Sequence, residues 1–201
     1  MVDFVHWGEK YRPDNFDNFK GQDSAISEIK NFFQYFPNVK KAILLHGPPG
    51  VGKTSLAYAV KKYFKLEIFE LNASDFRNKE QLQEKLKPAS EQASLFEKGK
   101  VLLVDEVDGL SSMKDRGGLA ELSSLIETSH FPIIVTANNI WDAKFSGLRK
   151  QCKLVPLKEL NYKDIFLILQ EIVAREKLDI ENQILVSISV RANGDVRAAI
   201  N

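Results

Sequence analysis

Residues Gly47-Pro48-Pro49-Gly50-Val51-Gly52-Lys53-Thr54 carry glycines, a lysine and a threonine at the spacing G-x-x-x-x-G-K-[ST]. Each residue type in that pattern has a chemical use. Glycines let the backbone curl so that successive N–H groups face phosphate oxygens, a lysine neutralises the β and γ oxygens, and a threonine hydroxyl ligates Mg²⁺. The loop follows an apolar run, Ala42–His46, and opens a helical pattern at Lys53. Strand, glycine loop and helix N-terminus in succession form the context in which this spacing binds a nucleoside triphosphate. The expected ligands are therefore ATP and Mg²⁺, held by Gly47, Pro48, Pro49, Gly50, Val51, Gly52, Lys53 and Thr54.

A second chemical signal is Val101-Leu102-Leu103-Val104-Asp105-Glu106, an apolar strand ending in two carboxylates. Asp105 is expected to hold Mg²⁺ together with Thr54, and Glu106 to orient and deprotonate the attacking water. Its separation from the glycine loop suggests a strand next to Ala42–His46 in the sheet. A third run, Pro132–Ala137, ends in Asn138-Asn139, and an amide at Asn138 can bond both water and γ-phosphate. Arg197, in Gly194-Asp195-Val196-Arg197, opens a late helix that can bring a guanidinium over the nucleotide. Alone, these last two are weak, because asparagine is a common turn residue and a helical arginine is usually solvated. Lys53, Glu106, Asn138 and Arg197 are the candidate catalytic groups.

The elements that must position these groups follow from hydrophobic pattern. Short apolar runs at Ala42–His46, Glu67–Leu71, Val101–Asp105, Pro132–Ala137 and Lys153–Leu157 read as strands, most without alternation, as in a parallel sheet covered on both faces. Helical patterns lie between them at Ser24–Phe36, Lys53–Phe64, Lys79–Lys87 with Glu91–Phe96, and Leu119–Thr128. Alternation of this kind predicts an α/β fold: a P-loop core with a central parallel five-stranded sheet flanked by helices. After Leu157 the pattern turns helical, with Tyr162–Glu176, Asn182–Arg191 and a third helix opening near Asp195. We expect a core over residues 1–157 and a small α-helical lid over 158–201, incomplete at its C-terminal end.

Composition narrows the class without naming a partner. In 201 residues, 44% are apolar and 27% charged, as in a folded globular chain, and the formal net charge of +1 offers no overall attraction for nucleic acid. A single cysteine, Cys152, rules out an internal disulfide framework and a thiolate metal site. Neither a leader pattern nor a stretch of about 18 apolar residues is present, so a cytoplasmic protein is expected, associated with the nucleoid, or nuclear in a eukaryote. His6, His46 and His130 show no ligand spacing, and Trp7 reads as a packing anchor.

In order along the chain, the glycine loop, the acidic strand end, Asn138 and Arg197 resemble the motif set of AAA+ ATPases, the last two as sensors 1 and 2. Trp7-Gly8-Glu9-Lys10-Tyr11-Arg12-Pro13, Phe16-Asp17, Gly21-Gln22 and Asn72-Ala73-Ser74-Asp75 resemble clamp-loader subunits, whose chain near Arg12 lines the adenine. Asp105-Glu106-Val107-Asp108-Gly109-Leu110 and Asp115-Arg116-Gly117-Gly118 resemble the large-subunit family of replication factor C, as found in archaea.

That resemblance implies a hetero-oligomer with replication factor C small subunits, a pentamer, acting on a PCNA-type sliding clamp and on primer–template DNA without reading sequence. It implies that Arg77, Lys79, Lys114 and Arg116 meet DNA phosphates, the rival being that they are solvated charges among Asp75, Glu80, Glu84 and Asp115. It also implies that Leu95 and Phe96 dock on the clamp, the rival being that they fill the core. Small subunits carry Ser-Arg-Cys where this chain reads Lys150-Gln151-Cys152, so Gln151 replaces the arginine finger and Arg149 is the displaced candidate. Two other classes stay open: a different AAA+ motor, such as a helicase loader or branch-migration ATPase, and a scaffold that binds ATP only structurally.

Overall fold

The computed structural model describes residues 6–38, 40–72, 75–76, 99–110 and 116–201, with the backbone alone at Arg116. Five strands form one parallel sheet: β1 Ala42–His46, β2 Glu67–Asn72, β3 Lys100–Asp105, β4 Ile133–Ala137 and β5 Cys152–Pro156, in the order β2-β3-β4-β1-β5. The central strands β1, β3 and β4 are buried almost throughout, which is why their sequences are continuous apolar runs.

Alternation survives inside those runs as a choice of face. Ile43, Leu45, Val101, Leu103, Ile134 and Val155 point into one apolar cluster, which holds the helices Asp23–Tyr35 and Lys53–Phe64. Ala42, Leu44, Leu102, Val104, Ile133 and Val135 point into the other, with Leu122 and Ile126 of the helix Arg116–Thr128. The edge strand β2 is covered less and carries Glu67 and Glu70 outward, the latter accepting a hydrogen bond of 2.6 Å from the Tyr58 hydroxyl.

One expectation is overturned. β3 does not lie beside β1; β4 occupies the slot between them, pairing Ile133 with Ala42 on one side and with Leu102 on the other. Sequence separation fixes how far a crossover can reach but not which slot it fills. The inserted strand carries Asn138 to a point between the glycine loop and the acidic end of β3.

Beyond β5 every described element is helical: Tyr162–Glu176, Asn182–Arg191 and Val196–Ile200. Asn161 caps the first by accepting from the Asp164 N–H, and Lys177 ends it in the left-handed conformation. Ile165, Leu169, Leu185 and Ala199 share the apolar cluster of the Lys53–Phe64 helix, so these helices rest on the same core. The N-terminal segment, with a short helix Trp7–Lys10 and a 3₁₀ turn Phe16–Asn18, runs along the same side. Trp7 packs edge-on to Tyr11, with 6.4 Å between ring centroids. Among the described residues no helix is long and apolar enough to cross a membrane.

Candidate nucleotide site

The glycine loop spans the gap between β1 and the Lys53–Phe64 helix. Gly50 has φ +73°, and a Cβ there would stand 1.8 Å from Asp195 Oδ1, so neither the backbone conformation nor the neighbouring helix tolerates a side chain. At Gly47 a Cβ would meet the Leu157 carbonyl oxygen at 2.4 Å. Both contacts come from the C-terminal segment, which is packed directly against the loop.

Lys53 begins its helix and is only 8% exposed. Its ammonium donates to the carbonyls of Gly47 at 2.9 Å and Pro48 at 2.7 Å and to Asn138 Oδ1 at 2.8 Å. Burial pulls its pKa below the ordinary lysine value; the carboxylates of Asp108, Asp105 and Glu106 oppose that shift and Arg197 adds to it. The same burial, with Lys53 nearby, lowers the His46 imidazole at the end of β1.

The Thr54 hydroxyl lies 3.2 and 3.1 Å from the two Asp105 carboxylate oxygens. Behind them Thr136, fully buried in β4, donates from its hydroxyl to Asp105 Oδ1 and accepts the Glu106 N–H at 2.9 Å. Glu106 itself has φ 54°, a left-handed conformation in a residue with a side chain, and presents an exposed carboxylate beside the loop. Asn138 is fixed at both ends. Its N–H and Nδ2 donate to the two oxygens of Asp108 at 3.1 and 2.8 Å, which leaves Oδ1 for Lys53.

These groups open on a cleft of about 410 Å³ whose wall includes Arg12, Pro49, Gly50, Val51, Gly52, Lys53, Thr54, Glu106, Asn138 and Arg197. Gly47 and Pro48 take part through the carbonyls that receive Lys53, and Asp105 stands behind the wall at Thr54. Arg12 bonds Glu9 at 2.6 Å, with its guanidinium 5.6 Å from the Tyr58 ring centroid. Lys10, Tyr11, Lys20, Thr136, Glu171 and Arg175 also line the cleft.

The donor set suits Mg-nucleotide. A hydroxyl and a carboxylate, both hard oxygen donors, meet at the foot of the loop, and ammonium and guanidinium groups flank the space where phosphates would lie.

The places of Thr136, Asp108 and Asp195 in the site leave no local mark in the sequence. Threonine in Ile133-Ile134-Val135-Thr136-Ala137 reads as an ordinary strand former, and only the sheet order brings it behind Asp105. Asp108 follows the acidic pair closely in sequence and was legible as part of a motif, though not as the partner of Asn138.

The guanidinium of Arg149, the displaced-finger candidate, donates to the carbonyls of Ile140 and Asp142 and lies near the Trp141 ring. Gln151 bonds Glu127 at 2.8 Å. Arg77, Lys79, Lys114, Leu95 and Phe96, the side chain of Arg116, and the expected helices at Lys79–Lys87 and Glu91–Phe96 lie outside the described residues.

Residues 43–153 match the AAA family, the ATPase family associated with various cellular activities. The whole chain is 42% identical to the replication factor C large subunit of Thermofilum pendens, aligning with 49% of that protein. The corresponding protein of Nanoarchaeum equitans is 43% identical over 96% of this chain and 45% of its own length. That of Sulfolobus acidocaldarius is 39% identical over 98% and 46%. The chain therefore spans about half the length of these relatives. Among solved structures, the RuvB Holliday junction branch migration motor of Thermotoga maritima superposes with a TM-score of 0.68 over 94% of this chain and 63% of its own. At 23% identity that likeness speaks to the fold alone.

Proposed function

The chain belongs to the AAA family of ATPases, and we propose that it is the nucleotide-binding part of a clamp-loader large subunit, coupling ATP hydrolysis to the loading of a sliding clamp onto primed DNA. The observation that carries the ATPase reading is the convergence of Lys53, Thr54, Glu106, Asn138 and Arg197 on one cleft. The clamp-loading role is supported by the similarity, along the full length of this chain, to proteins named as replication factor C large subunits.

In this reading Lys53 exchanges its carbonyl partners for the β and γ oxygens of ATP, and the loop N–H groups cradle the phosphates. Thr54 and Asp105 would hold Mg²⁺, which would supply charge neutralisation to the phosphates. Glu106 accepts the proton of the attacking water, Asn138 fixes the position of that water, and Arg197 brings positive charge to the γ-phosphate from the helical lid, residues 158–201. Arg12 and the N-terminal segment face the base.

The working partners are small subunits, a PCNA-type clamp and primer–template DNA. Arg77, Lys79, Lys114 and Arg116 are assigned to DNA phosphates, and Leu95 and Phe96 to the clamp. Gln151, being neutral, completes no neighbour's site, which suits a terminal place in the assembly. An arginine from the adjoining small subunit completes this one.

Steady-state ATPase tests the reading, with the chain in its full-length form alone and then with small subunits, clamp and primed DNA. Turnover is expected to be slow alone and to rise with all partners. Glu106→Gln is expected to lower the stimulated rate by about 10²-fold or more while leaving ATP binding in place. Stimulation indifferent to the clamp would point to another AAA+ motor, and no turnover under any condition would leave an ATP-binding scaffold.

A further inference from the structure

Thr136 is the single polar residue of β4, and its side chain is fully buried. A buried hydroxyl must find partners, and Thr136 finds two at the end of the neighbouring strand, the Asp105 carboxylate and the N–H of the residue after it. Its one proton goes to Asp105 Oδ1, and a lone pair receives the Glu106 N–H at 2.9 Å.

Each bond fixes something the cleft requires. Asp105 is also within bonding distance of Thr54, so its carboxylate is gripped from two sides and cannot rotate freely about its terminal bond. Glu106 holds a left-handed backbone conformation at φ 54°, unfavourable for a residue with a Cβ, and its N–H is satisfied only by turning toward β4. A β-branched residue at position 136 has few side-chain rotamers, so the strand presents the hydroxyl in a fixed place. The sheet order matters here, because β4 and not β1 lies beside β3 and so reaches Asp105, its last residue, and Glu106, the residue after it, from the side.

We propose that Thr136 is a positioning residue of the nucleotide site. It orients the Asp105 carboxylate for Mg²⁺ and holds the Glu106 peptide so that the Glu106 carboxylate faces the cleft, acting through these two residues from its own place on the cleft wall. This inference rests on the ATPase reading of the cleft. Partners standing behind a metal ligand typically set metal affinity by 10- to 100-fold. Thr136→Val keeps shape and strand preference while removing both hydrogen bonds, and Thr136→Ser keeps both.

The test is a titration of Mg²⁺ into the protein with a fluorescent ATP analogue, alongside the affinity for the analogue in EDTA, the melting temperature and the turnover rate. Thr136→Val is expected to raise the Mg²⁺ half-saturation about tenfold and lower turnover, with the EDTA affinity within about twofold of wild type; Thr136→Ser is expected to restore both. A merely structural threonine would shift the melting temperature and leave the Mg²⁺ titration where it was, and that result overturns the proposal. If Thr136→Val does not fold, Thr136→Ala against Thr136→Ser gives the same comparison. A wild-type protein that binds no analogue with or without Mg²⁺ overturns the ATPase reading itself, whereas a wild-type response shared unchanged by Thr136→Val and Thr136→Ala overturns the role of Thr136 alone.

Discussion

The two walls of the cleft are built in opposite ways. On the sheet side, the buried Thr136 bonds Asp105 and the buried Lys53 bonds Asn138, which Asp108 holds in turn toward the surface. On the outer side, the N-terminal segment meets the Tyr162–Glu176 helix through ion pairs open to water, Lys10–Glu176 at 2.5 Å and Lys20–Glu171 at 3.3 Å. Buried polar groups are strong and costly to disturb, while exposed pairs are weak and screened by salt. The chemistry thus sits on a rigid wall facing a more loosely fastened one, an arrangement that lets a nucleotide enter without disturbing the groups that act on it.

If the sheet side is the rigid wall, changes there should have the largest effects. Lys53→Ala removes the ammonium that anchors Gly47, Pro48 and Asn138 and that would neutralise phosphate. It is expected to weaken ATP binding at least about 100-fold and to abolish turnover, read by analogue titration and phosphate release. A variant that still binds within about twofold would place the nucleotide somewhere other than this cleft. Asp108→Asn is a smaller change at the same wall. It offers one acceptor oxygen to two donors, so either the Asn138 N–H or its Nδ2 loses its partner and the Asn138 amide is held less firmly beside Lys53. Turnover should fall about tenfold with ATP affinity nearly unchanged, and equal losses in both would show that Asp108 supports binding rather than the reaction.

The two walls also differ in how far they could be read from sequence. The glycine loop and Asp105-Glu106 were legible because residue type and place at a strand end or helix start agree, whereas Asn138 and Arg197 stood out only through the order of the whole motif set. The helices Lys53–Phe64, Tyr162–Glu176 and Asn182–Arg191 have the bounds their apolar stripes and caps indicate. Sheet order was not legible, because a parallel crossover leaves no local trace of the slot it fills, and the roles of Thr136 and Asp108 follow from that order. Nor was the outer wall. Glu176 is far along the chain from the adjacent Lys10 and Tyr11, so nothing local marks it as their partner.

The smallest expected effect tests the loosely fastened wall. Tyr11 donates to the same Glu176 oxygen that Lys10 approaches, at 2.7 Å, so Glu176→Gln weakens two contacts at once. We expect ATP-analogue dissociation, measured by stopped flow, to speed up about two- to fivefold, the difference shrinking in high salt, with the hydrolytic step unaffected. The pH dependence has a definite sign. Hydrogen bonds from Lys10, then Tyr11, hold the Glu176 carboxyl below the ordinary carboxylate range, so its contribution is present above the unfolded pKa and is lost as pH falls through the lower folded one. Lys10 is raised by Glu176, so its contribution is present below the ordinary lysine value and is lost only as pH rises through the higher folded one. The gap in dissociation rate between wild type and Glu176→Gln should therefore stay constant through the neutral range and close on strong acidification. A gap that closes near neutrality would mean that another titrating group, and not this ion pair, fastens the outer wall.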